Sequence, residues 1–247
     1  MPDGHPTVGE NLSPMGNRES SSFPPNIEPV VNRPFVRKGL ADWWDLFGVD
    51  HGFLRGTVWN NFHQVDAQLW RGNQPSPARI AWLAKKGVRT IINLRGPRDV
   101  GAWQLEAEAC ARHDITLVDF RLNSRDIPKA EQLHDLKDLF DAVTYPAFMH
   151  CKSGSDRAGI GAALYRLIHK GEPVRDALQE LSLRYGHFRQ AKTGMLDFFL
   201  ESYIPFEDKN IDFFTFVDEH FDRDALRQQF TSHHWADRLV DGLLRRE

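Results

Sequence analysis

Only two cysteines, Cys110 and Cys151, occur in 247 residues. A disulfide framework is thereby excluded, and a reducing compartment, where a reactive thiol stays usable, is the natural setting. No apolar run approaches the ~20 residues needed to cross a bilayer. Met1 to Pro34 contains no apolar stretch of the secretory-leader kind, so a cytoplasmic protein is expected. Positive charge is not in excess either: the formal net charge is −3. That is not the electrostatic footprint of a general nucleic-acid binder, and no nucleic-acid partner is expected. Metal-ligand spacing is also missing. His233 and His234 stand without a ligand pattern around them, and neither a metal nor a cofactor is expected.

What is present falls into four stretches. Residues 1–34, rich in Pro, Ser, Asn and Gly, read as a flexible tail. Residues 35–60 read as a helical extension, because Leu40, Trp43, Trp44 and Phe47 recur at helical spacing. Trp and Phe suit a membrane interface, which keeps peripheral contact open as a reading. Asp42, Asp45 and Asp50 weigh against an anionic surface and favour packing on the core. Residues 61–204 alternate between short apolar runs and helical patterns. The runs at 68–71, 90–94, 115–120 and 147–150 predict strands. Helices are predicted over 78–86, 101–113, 128–143, 158–169, 174–185 and 192–203. Residues 205–247 read as a second helical extension, carried by Phe213, Phe214, Phe216, Val217 and Phe221 and then by Trp235, Leu239, Leu243 and Leu244. Strands alternating with helices imply an α/β fold with a mostly parallel central sheet flanked by helices.

The chemistry concentrates at His150-Cys151-Lys152-Ser153-Gly154-Ser155-Asp156-Arg157-Ala158. A buried strand, Ala147–His150, delivers Cys151 to a tight loop, and a helix starts where the loop ends. Backbone N–H groups and a helix N-terminus then surround the thiol. Such a nest binds a phosphate dianion and favours a thiolate, and cysteines so placed have pKa values of about 3.5–7.5. Arg157 offers a planar fork for two phosphate oxygens. Gly154 lets the backbone turn closely around the anion. The bland alternative is a structural cysteine in an ordinary strand–helix turn; the charged neighbours Lys152, Asp156 and Arg157 would be an odd setting for it.

These residues resemble the signature of the protein tyrosine phosphatase superfamily, in its bacterial and atypical dual-specificity form. The resemblance covers roughly residues 60–203. It includes Leu69-Trp-Arg-Gly-Asn-Gln-Pro75 and Gly87-Val-Arg-Thr-Ile-Ile-Asn-Leu-Arg95, which look like the opening strand, helix and second strand of that group. The position of the signature, after several sheet elements, is unlike that of low-molecular-weight tyrosine phosphatases. The resemblance implies a phosphoric monoester hydrolase acting in two steps, with Cys151 as nucleophile. Arg157 and the loop from Lys152 through Ser153, Gly154, Ser155 and Asp156 would bind the phosphate, and His150 would orient the loop. A carboxylic acid would protonate the leaving group and then activate water.

Two aspartates fit the acid's place before the cysteine. Asp126 lies 25 residues upstream, between a strand and a helix, and is the first choice; Asp119 lies 32 residues upstream, inside the strand. A plain N-cap role competes for Asp126. Asp156 is a third candidate, able to assist proton transfer or orient Arg157. The family usually has Ser or Thr where this chain has Ala158, which bears on how readily the sulfur leaves in the second step. Lys152 resembles its counterparts in phosphatases acting on polyphosphorylated substrates. Arg71, Arg95, Arg125, Arg189 and Lys192 could border the site, though each alone reads better as a surface charge or structural ion pair. Cys110 reads as a small core residue, with a redox partnership to Cys151 as the minor alternative.

The implied substrate is a phosphorylated protein, at tyrosine or at serine and threonine, or a phosphorylated lipid or inositol. A phosphate-binding pseudophosphatase acting as a recognition module is the competing expectation from a different class. Sulfur transfer of the rhodanese kind is a third, disfavoured by the loop length and the upstream acid.

Overall fold

The computed structural model describes residues 60–98 and 100–231, together with Phe23, Ile27, Pro29 and Val30. The helix expected around Leu40, Trp43, Trp44 and Phe47 and the last one, around Trp235 to Leu244, lie outside the described residues.

Five strands form one sheet: β1 (Phe62–Gln64), β2 (Leu69–Gly72), β3 (Thr90–Asn93), β4 (Thr116–Asp119) and β5 (Ala147–His150). Their order is β1-β2-β5-β3-β4. Only β1 runs antiparallel to its neighbour. Helices α1 (Pro77–Lys85), α2 (Gly101–Arg112), α3 (Ala130–Ala142) and α4 (Asp156–Leu164) follow the four parallel strands. The fold is therefore the expected α/β one, a mostly parallel sheet flanked by helices.

Every residue of β3 and β5 is buried, as parallel strands covered on both faces must be. Alternate side chains feed two cores. Ile91, Leu117 and Phe148 pack with Ile80 and Leu83 of α1 and Trp103, Ala107 and Cys110 of α2. Ile92, Val118 and Met149 point the other way, to Leu133, Leu136, Leu139 and Phe140 of α3 and to the later helices. Burial of each such large side chain is worth roughly 1.5–3 kcal/mol, so a slip of one residue in any strand would exchange two complete apolar sets.

Helix starts and stops have local causes. Ser76 caps α1 by accepting from Arg79 N, and Pro77 occupies the first turn, where no N–H is needed. β1 was not expected: it is three residues long, FHQ, and only partly buried, so its pairing with β2 rather than any hydrophobic pattern defines it.

Three helix expectations change. Residues 158–169 are not one regular helix, because Tyr165–His169 widens into a π turn. Residues 174–185 break into α5 (Val174–Ala177) and two 3-10 turns, Leu178–Glu180 and Leu183–Tyr185. The break follows from Glu180, whose backbone carbonyl and side chain both accept from the buried Arg71. The third helix begins at Met195 rather than Lys192 and, as α6 (Met195–Glu207), runs through Pro205. So late in the helix, the proline forfeits little more than one bond to the preceding turn. Helix α7 (Phe213–Glu219) packs its Phe213, Phe216 and Val217 on the core. Helix α8 spans 223–231, where the described residues end.

The described residues of the stretch read as a tail are packed against the sheet. Pro29 makes an antiparallel bridge to Val118 on the outer side of β4, and Ile27 and Val30 are buried. An open sheet edge is thereby covered at that point.

Candidate active site

The carboxyl ends of the parallel strands form one row, Gly72–His150–Asn93–Asp119, in register across the sheet. Open α/β sheets bind ligands beyond this edge. β5, central in the sheet, ends at His150, and the next residue is Cys151, 2% exposed. The loop 151–155 then turns back into α4, whose first two residues are Asp156 and Arg157.

The curvature of the loop is imposed from outside. The carbonyl of Lys152 accepts from Gln74 N at 3.3 Å. That of Ser153 accepts from Asn61 Nδ2 at 3.0 Å. Those of Gly154 and Ser155 accept from Arg71 Nη2 at 2.8 and 3.0 Å. A trans peptide directs its N–H opposite to its carbonyl. Four outward carbonyls therefore aim the amides of Ser153, Gly154, Ser155 and Asp156 inward, around the sulfur. Gly154 N indeed donates to Cys151 Sγ at 3.3 Å. Gly154 has φ +79°, and a Cβ there would lie 2.7 Å from Asn73 N and from Gly72 C. Only glycine fits this turn. Arg71 is itself fully buried, held by Glu180 and stacked 4.1 Å from the Tyr185 ring.

Arg157 is half-buried at the start of α4. Among the described residues, no side chain pairs with its guanidinium. Lys152 and Ser153 are half-buried and Ser155 is buried. Ala158 is fully buried and brings no hydroxyl to the loop.

Two buried polar networks back the loop. On the sheet side, His150 Nδ1 lies 3.2 Å from the Cys151 carbonyl and Nε2 lies 2.6 Å from Glu106 Oε1, both side chains being fully buried. Glu106 Oε2 accepts from Gln74 Nε2 at 2.5 Å, and Gln74 Oε1 accepts from Arg95 Nη1 at 2.8 Å. On the helix side, Asp156 Oδ1 lies 2.8 Å from His187 Nδ1, and His187 Nε2 lies 2.7 Å from Asp197 Oδ2. Burial of the His187 ring opposes its protonation, but the hydrogen bonds and charges of Asp156 and Asp197 outweigh this and push it up to about 9.

The acid candidates are each engaged. Asp126 accepts from the Ile127 amide and forms ion pairs with Arg223 (2.6 Å) and Arg227 (3.2 Å) of α8. Arg223 also donates to the Ile127 carbonyl. Asp119 accepts from Asn93 Nδ2 at 2.7 Å and from Trp103 Nε1 at 3.1 Å. Of the basic residues expected near the site, Arg71 and Arg95 are buried behind the loop, Arg189 pairs with Glu201, and Arg125 and Lys192 are exposed. Cys110 sits in the α1–α2 core, where burial pushes its thiol well up, with Glu106 and Asp119 adding to the effect. A thiol so placed is a poor nucleophile.

Glu106, Gln74, Asn61 and His187 were not singled out from the sequence. Glu106 left a trace: it shares a helical stripe with Trp103, Ala107 and Cys110, where a carboxylate is out of place. Gln74 lies within the stretch 69–75 that carries the resemblance; Asn61 and His187 left no trace. A cavity of about 500 Å³ opens beside His187, but its lining (Leu181, Arg184, Asp197 and Glu201 among others) includes no residue of loop 151–157.

The family described as DSP-PTPase phosphatase fused to NAD+ kinase matches residues 54–196. The chain belongs to this family. It is 29% identical over 122 residues to the dual specificity protein phosphatase TpbA of Pseudomonas aeruginosa UCBPP-PA14, covering 49% of this chain and 53% of that protein. It is 25% identical over 137 residues to the probable chloroplastic NAD kinase 2 of Oryza sativa subsp. japonica, covering 54% of this chain and 14% of that protein. The chain thus spans about half the length of TpbA and a small part of the kinase. Among solved structures, P. aeruginosa TpbA aligns at 21% identity and TM-score 0.47, covering 72% of this chain and 99% of that one. A cysteine-to-serine form of TpbA in complex with pTyr aligns at 21% identity and TM-score 0.46, covering 72% and 98%.

Proposed function

We propose that this DSP-type domain is a cysteine-dependent phosphatase that hydrolyses a phosphomonoester through a phosphocysteine intermediate. The observation that carries the reading is the set of four loop amides aimed inward around Cys151 Sγ. In the first step the sulfur lone pair attacks phosphorus in line, an S–P bond forms and the P–O bond to the leaving group breaks. The loop amides and the Arg157 fork hold the charge on the non-bridging oxygens. Asp126 gives its proton to the leaving oxygen. In the second step it takes a proton from water, which attacks phosphorus and expels the Cys151 thiolate. With alanine at position 158, the Gly154 amide is the contact available to the departing sulfur.

For Asp126 to deliver a proton, its carboxyl must turn out of the Arg223–Arg227 pair toward the leaving group. Asp126→Asn should lower kcat by about 10²–10⁴-fold, and far more than Asp119→Asn does; the opposite ranking moves the role to Asp119. Phosphotyrosine is the first substrate to test, since a TpbA structure holds pTyr. Phosphoserine and phosphothreonine peptides, phosphoinositides and inositol phosphates complete the panel.

Reduced, purified protein should hydrolyse p-nitrophenyl phosphate in the presence of EDTA, and Cys151→Ser should abolish the turnover. Wild-type protein without turnover would overturn the catalytic reading. The buried Ala158 favours a second one, a phosphate-binding recognition module; it predicts saturable vanadate or phosphopeptide binding with no product.

A further inference from the structure

We propose that His187 is a positioning residue, which uses two N–H donors to hold Asp156 against Asp197 and so fixes the junction between the loop and Arg157. The proposal rests on the phosphatase reading for its effect on turnover, though not for the clamp itself.

The argument starts from the ring's two partners. Both nitrogens of His187 face carboxylate oxygens, at 2.8 Å on Asp156 and 2.7 Å on Asp197. Carboxylate oxygens accept and do not donate. A neutral imidazole has one N–H and one lone pair, and the lone pair would then confront an oxygen at hydrogen-bond distance. With both carboxylates ionised, only the doubly protonated ring satisfies both contacts. The His187 side chain is fully buried and that of Asp197 is 5% exposed, so water cannot cheaply replace the Asp197 contact; Asp156 is 25% exposed.

The place of the clamp gives it a task. Asp156 is the residue before Arg157, in the first turn of α4. Its carboxylate borders a loop whose amides and guanidinium are arranged for an anion. Left unpaired, that charge would oppose an incoming phosphate and could capture Arg157. The imidazolium neutralises it and turns it toward α6. Around the ring, α4 supplies Asp156, and α6 supplies Asp197 and, one turn on, Glu201. The stretch between α5 and α6 supplies Arg184 and Arg189, which line the same cavity, Arg189 being paired with Glu201. The ring's upward shift, to about 9, agrees with this arrangement.

The wild-type kcat/KM for p-nitrophenyl phosphate should therefore fall on an alkaline limb near pH 9, as the ring loses one donor. Asp197→Asn removes one of the two charges that hold the proton. It should move that limb down by at least one pH unit while leaving turnover at pH 6 within a fewfold of wild type. His187→Gln should abolish the limb and lower kcat by about 10²-fold across the range, the scale of a small misplacement at a reacting centre. A merely structural residue would lower stability without moving the limb. An unmoved limb in Asp197→Asn overturns the proposal, even if His187→Gln fails to fold. NMR titration of the His187 ring in the full chain judges the clamp without turnover. A ring titrating near 9 in wild type and lower in Asp197→Asn supports it; a ring titrating near 6.5 in wild type overturns it. If wild type turns over nothing, the phosphatase reading falls, and the ring titration alone decides the clamp.

Discussion

The two histidine networks behind the loop do the same job with opposite balances of charge. On the sheet side, His150 meets one carboxylate, Glu106, and the chain runs on through Gln74 to the cation Arg95. On the helix side, His187 meets two carboxylates, and among the described residues no other cation pairs with either of them. The first network joins strand ends to α2 and holds the Cys151 end of the loop. The second joins α4 to α6 and holds the Arg157 end. The sheet-side network carries a second cation, Arg95. The other depends on a single titrating ring.

The largest expected effect tests the balanced side. Glu106→Ala removes the buried carboxylate beside His150 and leaves Gln74 without its acceptor, and should cost about 3–5 kcal/mol, read as a drop in chemical-denaturation midpoint. Glu106→Gln keeps an acceptor and should cost less. If both variants are harmless, the sheet-side network is not what anchors Cys151. Next comes the loop between the networks. Gly154→Ala forces a Cβ into backbone at 2.7 Å with φ +79°, for a stability cost of about 1–3 kcal/mol; turnover should fall below detection while the circular-dichroism spectrum keeps its shape.

The helix side is tested by pH. The folded His187 value, about 9, lies above the ~6.5 of a free imidazole. Its contribution to stability is thus complete below pH 6.5 and is lost as pH rises through about 9. Thermal melts of wild type should show this alkaline loss, and His187→Gln should flatten it. A wild-type melting temperature constant from pH 7 to 10 would erase the contrast between the two sides. The smallest effect belongs to an exposed pair used as a reference: Lys137→Ala breaks the contact to Asp141, with both side chains about half exposed, and should change stability by about 0.5 kcal/mol or less.

The same contrast explains what could be read in the sequence. Helices α1 to α3 follow from apolar periodicity, and strands β2 to β5 from short runs between turn residues, continuously buried in β3 and β5. Cys151, Gly154 and Arg157 stand at fixed spacing within seven residues, so their loop is legible too. The frame around that loop is not. Asn61, Arg71 and Glu180 meet it or each other across 83 to 109 residues of chain, and no local pattern encodes such a meeting. The helix expected over 174–185 broke for that reason: periodicity describes a helix face, while Arg71 claims the Glu180 carbonyl. Asp126 is a further case. Its position between strand and helix was readable, but its partners on α8 lie 97 residues on for Arg223.

The outward carbonyls of residues 152–155 also bear on transplantation. The heptapeptide from Cys151 to Arg157 owes its shape to Asn61, Arg71 and Gln74, none of which lies within it. Grafted alone onto another scaffold, it would carry the reactive atoms and lose the cup. The smallest portable unit is residues 61–74, which carry β1, β2, Asn61 and Gln74, together with β5, the loop and α4, with Glu180 to keep Arg71 in place.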